Sequence, residues 1–228
     1  MKHRTALVIM AKAPQPGAVK TRLCPPLSDP EAAELYRCFL LDTIDKARTL
    51  SGVSLVLAYT PTSSKDLFAS LAPDAILMPQ QGDDLGDRMA ACFTRSFELG
   101  YHHVLLTGSD LPTLPLDYLE QAVALIAKPQ VDVVLGPSED GGYYLIGLRQ
   151  LHRALFDDMH WSIETVFAET VRRAAANGLS VARLPRWYDV DTPADLKRLQ
   201  TSLTPQANRV CPHTRQFFRN RETCLNIP

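Results

Sequence analysis

The sequence contains no long hydrophobic run and no surplus of charge of either sign. None of its apolar stretches approaches the ~18 consecutive residues that a transmembrane helix needs, so we expect no membrane span. The 24 lysine and arginine residues are balanced by 25 aspartate and glutamate residues, which leaves a net charge of −1. Because nucleic-acid-binding proteins present a basic face, this balance argues against nucleic acid as a partner.

The sequence has no CxxC motif, and we expect no targeting segment. The five cysteines are an odd number and none forms a CxxC motif, which is typical of a reducing compartment. Near the N-terminus only residues 5–11 form an apolar run, Lys12 interrupts it, and no signal-peptide cleavage site follows. We therefore expect a cytoplasmic location. We expect a single domain over residues 1–204 and a C-terminal tail over residues 205–228, because the tail is polar and shows no periodicity.

Short apolar runs bounded by turn residues predict the strands of an α/β sheet. These runs cover residues 5–11, 53–59, 75–78, 104–107, 131–136, 143–148 and 181–184. Apolar residues at helical spacing predict helices between them. The helices are expected after Ser28, over 63–71, after the loop at 80–84, over 115–127, over about 163–176 with Ser162 as N-cap, and after Thr192.

A single carboxylate follows the predicted strand at 104–107. Gly108 and Ser109 end this strand and Asp110 comes directly after them. In open α/β sheets, ligands bind at the carboxyl ends of the strands. The sequence therefore predicts that Asp110 holds a divalent metal, Mg²⁺ or Mn²⁺, and that the metal holds a nucleotide diphosphate.

The loop after the first strand is cationic. Two prolines and Gly17 exclude a regular element there, and the loop carries Lys12, Lys20 and Arg22. Ammonium and guanidinium groups together suit a pyrophosphate, so we predict a phosphate-binding loop. It is not a Walker loop, because the GxxxxGK[ST] pattern is absent. A solvated basic loop is the alternative interpretation.

The segment QGDDLGDRM is a polar loop that opens into a helix. Arg88 falls in the first turn, where the helix dipole disfavours a cation, so a nearby anion is expected. We predict that Arg88 or Gln81 contacts the nucleotide. The alternative is an ordinary capped helix start in which Asp84 and Asp87 offset the charge.

A second candidate segment reads EDGGYYL. Gly141 and Gly142 allow the backbone to approach a ligand closely, and either Glu139 or Asp140 is a candidate general base. A plain hairpin turn is the alternative. Further along, Trp161 either stacks on a substrate or fills the core, and the sequence does not decide between the two.

Near the end of the predicted domain, two carboxylates alternate along an extended stretch. Asp189 and Asp191 therefore point the same way. Thr192, Pro193 and Asp195 then form a strong helix start.

Five segments occur in the order AKAPQPGAVKTRL, QGDDLGDRM, GSDLP, EDGGYYLIGL and YDVDTPADL. With them, residues 5–200 resemble the DUF2064 family of GT-A-type proteins, within the nucleotide-diphospho-sugar transferase superfamily. Some members are named arsenosugar-biosynthesis glycosyltransferases. The resemblance implies a three-layer α/β/α sandwich with a mostly parallel sheet. It also implies that Asp110 takes the place of the metal-binding aspartate, Asp191 that of a second metal-binding carboxylate, and Lys20 and Arg22 those of the phosphate-binding loop.

The chain departs from the related sugar nucleotidyltransferases in its first loop. Those begin with a glycine-rich LAGGxGxR loop, whereas this loop has one glycine and two prolines, which favours sugar transfer. We therefore expect a metal-dependent glycosyltransferase that uses a nucleotide sugar and a small-molecule acceptor. Two alternatives stay open: a guanylyl- or cytidylyltransferase-like enzyme joining a nucleoside triphosphate to a phosphorylated small molecule, and a nucleotide-binding protein without catalysis.

Overall fold

The fold is built on one seven-stranded sheet. It is taken from a computed structural model that describes residues 4–161, 163–203 and 211–225. The strands are β1 (Thr5–Lys12), β2 (Val53–Thr60), β3 (Ile76–Pro79), β4 (His103–Thr107), β5 (Val133–Pro137), β6 (Tyr143–Leu148) and β7 (Val181–Arg183). Their order across the sheet is β3-β2-β1-β4-β6-β5-β7.

The sheet is mostly parallel, as predicted. β1 pairs in parallel with β2 and with β4, so that Thr5 lies opposite both Val53 and His103. β6 alone is antiparallel to its neighbours, β4 and β5. Because β6 reverses direction between them, β4 and β5 run the same way, and β7 is parallel to β5.

Helices connect the strands and cover the sheet. They are α1 (Asp29–Arg48), α2 (Lys65–Leu71), α3 (Leu85–Glu98), α4 (Leu116–Ile126), α5 (Val166–Ala176), α6 (Pro193–Ser202) and α7 (Pro212–Leu225). Within the described ranges, none of them combines the length and the apolarity needed to cross a membrane.

The strand pleat divides the core into two layers. In β1, Leu7 and Ile9 pack in one cluster with residues of α1, α2 and α4, whereas Ala6 and Val8 pack in a second cluster with residues of α3 and α5. Since successive side chains of a strand point to opposite faces, a run that is apolar throughout is buried on both sides. This arrangement confirms the expected three-layer α/β/α sandwich.

α5 begins later than the sequence pattern predicts. Its first residue is Val166 rather than a residue near 163, and the N-cap assigned to Ser162 lies outside the described residues. Glu164, just before the helix, packs against Gly141 in the turn between β5 and β6, and the N–H of Phe167 in the first turn of α5 donates to the carbonyl of Gly141 at 2.9 Å. Tertiary contact with this turn therefore replaces the first helical turn.

Part of the stretch expected to be an irregular tail forms α7, which packs against α1. The carboxylate of Asp42 on α1 accepts hydrogen bonds from the backbone N–H groups of His213 and Thr214, both at 2.9 Å. These are N–H groups that the start of a helix leaves without partners. The cap comes from a distant helix, so apart from Pro212 at the first helical position the sequence gives little sign of this helix start. Residues 205–210 and 226–228 of the expected tail lie outside the described chain.

Lys46 of α1 supports the loop that follows Asp110. Its buried ammonium donates to the carbonyl oxygens of Leu114 at 2.5 Å and Pro112 at 3.2 Å. Burial disfavours the charged form and lowers the pKa of Lys46 from 10.5 to about 8. A group with a lowered native-state pKa makes stability depend on pH.

We predict that the free energy of unfolding gains a contribution from Lys46 as the pH rises from about 8 to 10.5. In that window the unfolded chain binds a proton that the native state has released, so the native state is favoured. The gain should approach about 3 kcal/mol. It should be missing from Lys46→Met and kept in Lys128→Met, an exposed control, when urea denaturation is measured at pH 7.5 and 10.5. Equal pH profiles for wild type and Lys46→Met would contradict it.

Candidate active site

Four loops meet at one edge of the sheet. They follow β1, β4, β5 and β7, which all run in the same direction, so the carboxyl ends of these strands lie at one edge. In chain order the loops carry Lys20, Asp110, Asp140 and Asp191. The second and fourth loops are joined directly, because the N–H of Val190 donates to the carbonyl of Asp110 at 3.1 Å.

Lys20 lies between two of the carboxylates. Its ammonium is 2.8 Å from Oδ2 of Asp110 and 2.6 Å from Oδ1 of Asp191. The lysine side chain is only 4% exposed, whereas the two aspartates are 36% and 40% exposed. Burial alone would lower the pKa of Lys20, but the charges of Asp110 and Asp191 outweigh it and raise the pKa to about 12. The group is therefore a fixed cation at neutral pH.

The backbone of Lys20 is strained. Its φ of +49° lies in the left-handed region, which residues other than glycine rarely adopt. Such strain persists where the surrounding structure imposes it, and it often occurs at functional sites. Here it accompanies the ion pairs of Lys20 with Asp110 and Asp191.

The loop after β1 lines a polar cavity of about 440 Å³, which we call the cationic cavity. Its charged lining residues are Lys12, Lys20, Arg22, Asp110, Asp140 and Asp191. The Lys12 ammonium also donates to the carbonyl of Ala18 at 2.8 Å. Gly17 does not line the cavity; it forms the preceding turn, with a φ of +72°. The structure thus brings Lys12, Lys20 and Arg22 together in a space that can hold a diphosphate.

A second cavity of about 340 Å³, which we call the apolar cavity, adjoins the first. Its large apolar lining residues include Met10, Leu85, Met89, Leu111, Trp161 and Ile163. Asp110 and Asp140 line both cavities, so these two carboxylates mark the boundary between them.

The two candidate bases have different surroundings. The carboxylate of Glu139 accepts two hydrogen bonds from the guanidinium of Arg198, at 2.6 and 3.0 Å, and this pairing lowers the pKa of Glu139. Glu139 lines neither cavity. Asp140 lines both, and its Oδ1 accepts from the N–H of Gly142 at 2.9 Å. The geometry therefore places Asp140, and not Glu139, where a substrate could be deprotonated.

The double glycine serves packing as well as access. Gly141 has a φ of +91°, and a Cβ at this position would overlap the carbonyl of Glu164. Gly142 lines the apolar cavity. Trp161 lines it too, with its indole against Gly86, where an added Cβ would lie 2.7 Å from the ring. The side chain of Trp161 thus forms a wall of the cavity.

Asp189 lies in the same cleft. Its Oδ1 accepts a hydrogen bond from the hydroxyl of Ser138 at 2.7 Å. Burial, with smaller effects from the charges of Asp140 and Asp191, raises the pKa of Asp189 to about 6, whereas Lys20 lowers that of Asp191 despite burial. The sequence predicts that Asp189 and Asp191 point the same way. In the structure Asp189 lines the apolar cavity and Asp191 lines the cationic cavity.

Gln81 and Arg88 lie away from these two cavities. Gln81 lines a separate depression beside β3 and α3, and Arg88 donates to the carbonyl of Gly82 at 3.1 Å on the surface. Asp84 caps α3 by accepting from the N–H of Asp87 at 2.8 Å, as the alternative interpretation expects. The structure does not bring these residues to Lys20, and the nucleotide contact suggested for Gln81 and Arg88 stays a prediction.

Sequence reasoning overlooked a buried support of the site. The hydroxyl of Tyr36 accepts from the N–H of Lys12 at 2.9 Å and lies 2.9 Å from the hydroxyl of Ser109. It thus links the end of β1 to the residue before Asp110. Tyr36 occupies an apolar face of α1, where an aromatic residue is ordinary core, so the sequence carries no signal for this role.

The oxygen donors suit a divalent ion only in part. Mg²⁺ commonly takes one or two protein carboxylates and completes its shell with water and phosphate oxygens, and Asp110 and Asp191 offer two carboxylates that converge. In the described part of the chain, no three His, Cys, Asp or Glu residues form a group that could hold an ion. The donor set thus fits a metal that arrives with phosphate.

Comparison with known proteins gives a family match over the middle of the chain. Residues 43–163 match the family described as "Uncharacterized protein conserved in bacteria (DUF2064)". The chain also resembles the crystal structure of a "putative nucleotide-diphospho-sugar transferase" from Desulfovibrio desulfuricans G20. That likeness has 33% sequence identity and a TM-score of 0.88, over 97% of this chain and 96% of the other.

More distant likenesses extend to cytidylyltransferase folds. The inositol-1-phosphate CTP transferase from T. maritima has 16% identity and a TM-score of 0.56, over 94% of this chain and 97% of that one. The 4-diphosphocytidyl-2C-methyl-D-erythritol synthase has 10% identity and a TM-score of 0.59, over 90% of this chain and 100% of that one. At these identities the likeness shows the fold alone. The chain therefore has the nucleotide-diphospho-sugar transferase fold and belongs to the DUF2064 family.

Proposed function

We propose that the protein is a glycosyltransferase in which the cationic cavity holds the diphosphate of a nucleotide sugar and the apolar cavity holds a small-molecule acceptor. The observation that carries this proposal is the shared boundary. Asp110 and Asp140 line both cavities, and the ammonium of Lys20 pairs with Asp110 there. A sugar attached to a diphosphate in one cavity would thus face a molecule in the other.

The relative from Desulfovibrio desulfuricans supports a transferase that uses such a donor, since it bears that description and matches nearly the whole chain. The first loop supports sugar transfer, because it offers cations for phosphate but lacks the glycine-rich loop of the sugar nucleotidyltransferases.

In the proposed reaction, an acceptor hydroxyl attacks the anomeric carbon of the sugar. A carbon–oxygen bond to the acceptor forms, the bond to the diphosphate oxygen breaks, and the electron pair leaves with the nucleoside diphosphate. Asp140 takes the hydroxyl proton, a role that suits a carboxylate at the boundary of the two cavities. Lys20 and Arg22 stabilise the charge that develops on the leaving group.

Asp110 and Asp191 are the residues that would hold Mg²⁺ or Mn²⁺ together with the phosphates. When bound, such an ion neutralises charge on the departing diphosphate. Lys20 pairs with both of these carboxylates, so for them to hold an ion its ammonium would have to give up these pairings, and a phosphate in the cationic cavity would offer it another partner.

The products of turnover test the proposal. The protein is incubated with Mg²⁺ in two separate sets of reactions, one with nucleotide sugars and small alcohols as acceptors, the other with nucleoside triphosphates and phosphorylated small molecules, and the released species are identified by chromatography. Nucleoside diphosphate released from a nucleotide sugar is the expected result. Pyrophosphate released from a triphosphate would make the protein a nucleotidyltransferase. A nucleotide at 100 times its dissociation constant stabilises the folded protein by about 2.7 kcal/mol, which raises the melting temperature. If the melting temperature rises but neither product is released, the protein is a nucleotide-binding protein without catalysis.

A further inference from the structure

The apolar cavity has a lining that differs sharply from that of its neighbour. Among the described residues that surround it, the charged groups are three carboxylates, Asp110, Asp140 and Asp189, and no lysine, arginine or histidine is present. The basic residues Lys12, Lys20 and Arg22 all line the cationic cavity instead. An anion in the apolar cavity would thus meet three carboxylates, while the ammonium that pairs with Asp110, that of Lys20, lies on the side of the cationic cavity.

The mouth of this cavity is unusually hydrophobic. In the described chain four large apolar residues are 36% exposed or more: Leu67 (36%), Ile76 (39%), Leu85 (43%) and Ile163 (48%). The two most exposed, Leu85 and Ile163, both line the apolar cavity. Two exposed apolar side chains at one cavity give it an apolar rim, which suits a ligand with an apolar body.

The wall formed by Trp161 is held by shape rather than by polar contacts. The indole N–H of Trp161 is buried and has no hydrogen-bond partner among the described residues. The ring packs on Gly86, where a Cβ would lie 2.7 Å from the indole. A flat aromatic wall without a polar anchor suits a flat or apolar ligand body.

We propose that the acceptor is an uncharged molecule with a compact apolar body that carries the reacting hydroxyl, and that it bears no phosphate or carboxylate group. The body lies against Trp161 and Ile163, and the hydroxyl points to Asp140 at the boundary with the cationic cavity. A volume of about 340 Å³ is near the lower end of the ~300–1,000 Å³ found for small-molecule sites, so the acceptor is a small molecule and not a polymer segment. The role of this molecule as an acceptor rests on the proposed function, whereas its apolar and uncharged character rests on the lining of the cavity.

A matched pair of dyes tests the proposal without any turnover. N-phenyl-1-naphthylamine is uncharged, and 8-anilinonaphthalene-1-sulfonate carries the same ring system with one sulfonate. We expect the uncharged dye to bind one to one with enhanced fluorescence, and the sulfonate to bind at least about tenfold more weakly, since a tenfold ratio needs only 1.4 kcal/mol. Equal or tighter binding of the sulfonate overturns the proposal.

Variants locate the dye. Ile163→Asp should abolish binding of the uncharged dye, whereas Leu67→Asp, the same change at an exposed site elsewhere, should leave it intact. Asp189→Asn should narrow the difference between the two dyes, because it removes one of the three carboxylates. Circular dichroism confirms that each variant is folded. If Ile163→Asp and Leu67→Asp both lose the uncharged dye, or if both keep it, the dye does not bind in the apolar cavity as assigned.

A nucleoside diphosphate separates this inference from the proposed function. Added at saturation with Mg²⁺, it should leave the uncharged dye bound, because the two ligands occupy different cavities. Displacement of the dye would mean that the apolar cavity holds the nucleobase, and the inference would fall even if sugar transfer is observed. Dye binding as expected, with no nucleoside diphosphate released from any nucleotide sugar, would instead overturn the proposed function.

Discussion

Replacing Asp140 with asparagine should lower the rate of sugar transfer by about 10²–10⁴-fold, the usual contribution of a general base. The substitution keeps the size of the side chain and its acceptance of the Gly142 N–H, and it removes the ability to take a proton. The expected loss is in kcat, with little change in the affinity for a nucleotide in the cationic cavity. Steady-state kinetics of nucleoside diphosphate release measures both.

The adjacent Glu139 provides a matched control. Glu139→Gln also removes one negative charge from the same turn, yet the carboxylate of Glu139 is paired with Arg198 and lines neither cavity. We expect its activity to stay within about threefold of wild type, the change that an exposed ion pair worth under 1 kcal/mol allows. If Glu139→Gln were the slower enzyme, the assignment of the base would have to be reversed.

The strands and their common direction are predictable from the sequence because burial on both faces leaves an uninterrupted apolar run. The reversed direction of β6 does not follow from its composition, but it follows from the length of the turn before it. Tyr143–Leu148 is as apolar as its neighbours, and its direction is fixed by the short turn that holds Gly141. A parallel crossover needs a dozen or more residues, so a turn this short requires an antiparallel pair. The segment EDGGYYL therefore forms a hairpin turn and also contributes Asp140 to the candidate site, so the two interpretations are compatible.

Position along the chain predicts which loops form the site, but not which way each side chain points. Asp110 follows a central strand and therefore has to lie at the ligand-binding edge. Glu139 and Asp140 are neighbours in one turn, and their different orientations depend on Arg198, which lies far along the chain on α6. Such a contact leaves no local pattern in the sequence.

The position of Lys20 could not be predicted either. The cationic loop indicates phosphate binding, and the carboxylates of Asp110 and Asp191 indicate a metal, but nothing local shows that the lysine pairs with both. The pairing accompanies a left-handed backbone conformation at a residue that is not glycine. Propensity argues against this conformation, and tertiary contacts override it.

That pairing leads to the second large prediction, for Lys20→Met. The affinity for a nucleoside diphosphate should fall by about 10–100-fold, because a hydrogen bond between charged groups contributes about 1.5–3 kcal/mol and 1.4 kcal/mol is a factor of ten. Isothermal titration calorimetry measures this loss. Lys65→Met removes the same charge from an exposed position on α2 and should bind the nucleotide as wild type does.

Lys20→Met also tests whether Asp110 and Asp191 only form ion pairs that stabilise the fold or can bind a divalent cation. Without the ammonium, Asp110 and Asp191 lose their shared counter-ion and repel each other. A divalent ion can then take the place of the ammonium, so Mg²⁺ alone should raise the melting temperature of Lys20→Met more than that of wild type or Lys65→Met. An equal Mg²⁺ effect on all three proteins would mean that the two carboxylates do not form a metal site. A larger effect in Lys20→Met would show that the lysine and the ion compete for one position, which is what a lysine that moves to the phosphate on nucleotide binding requires.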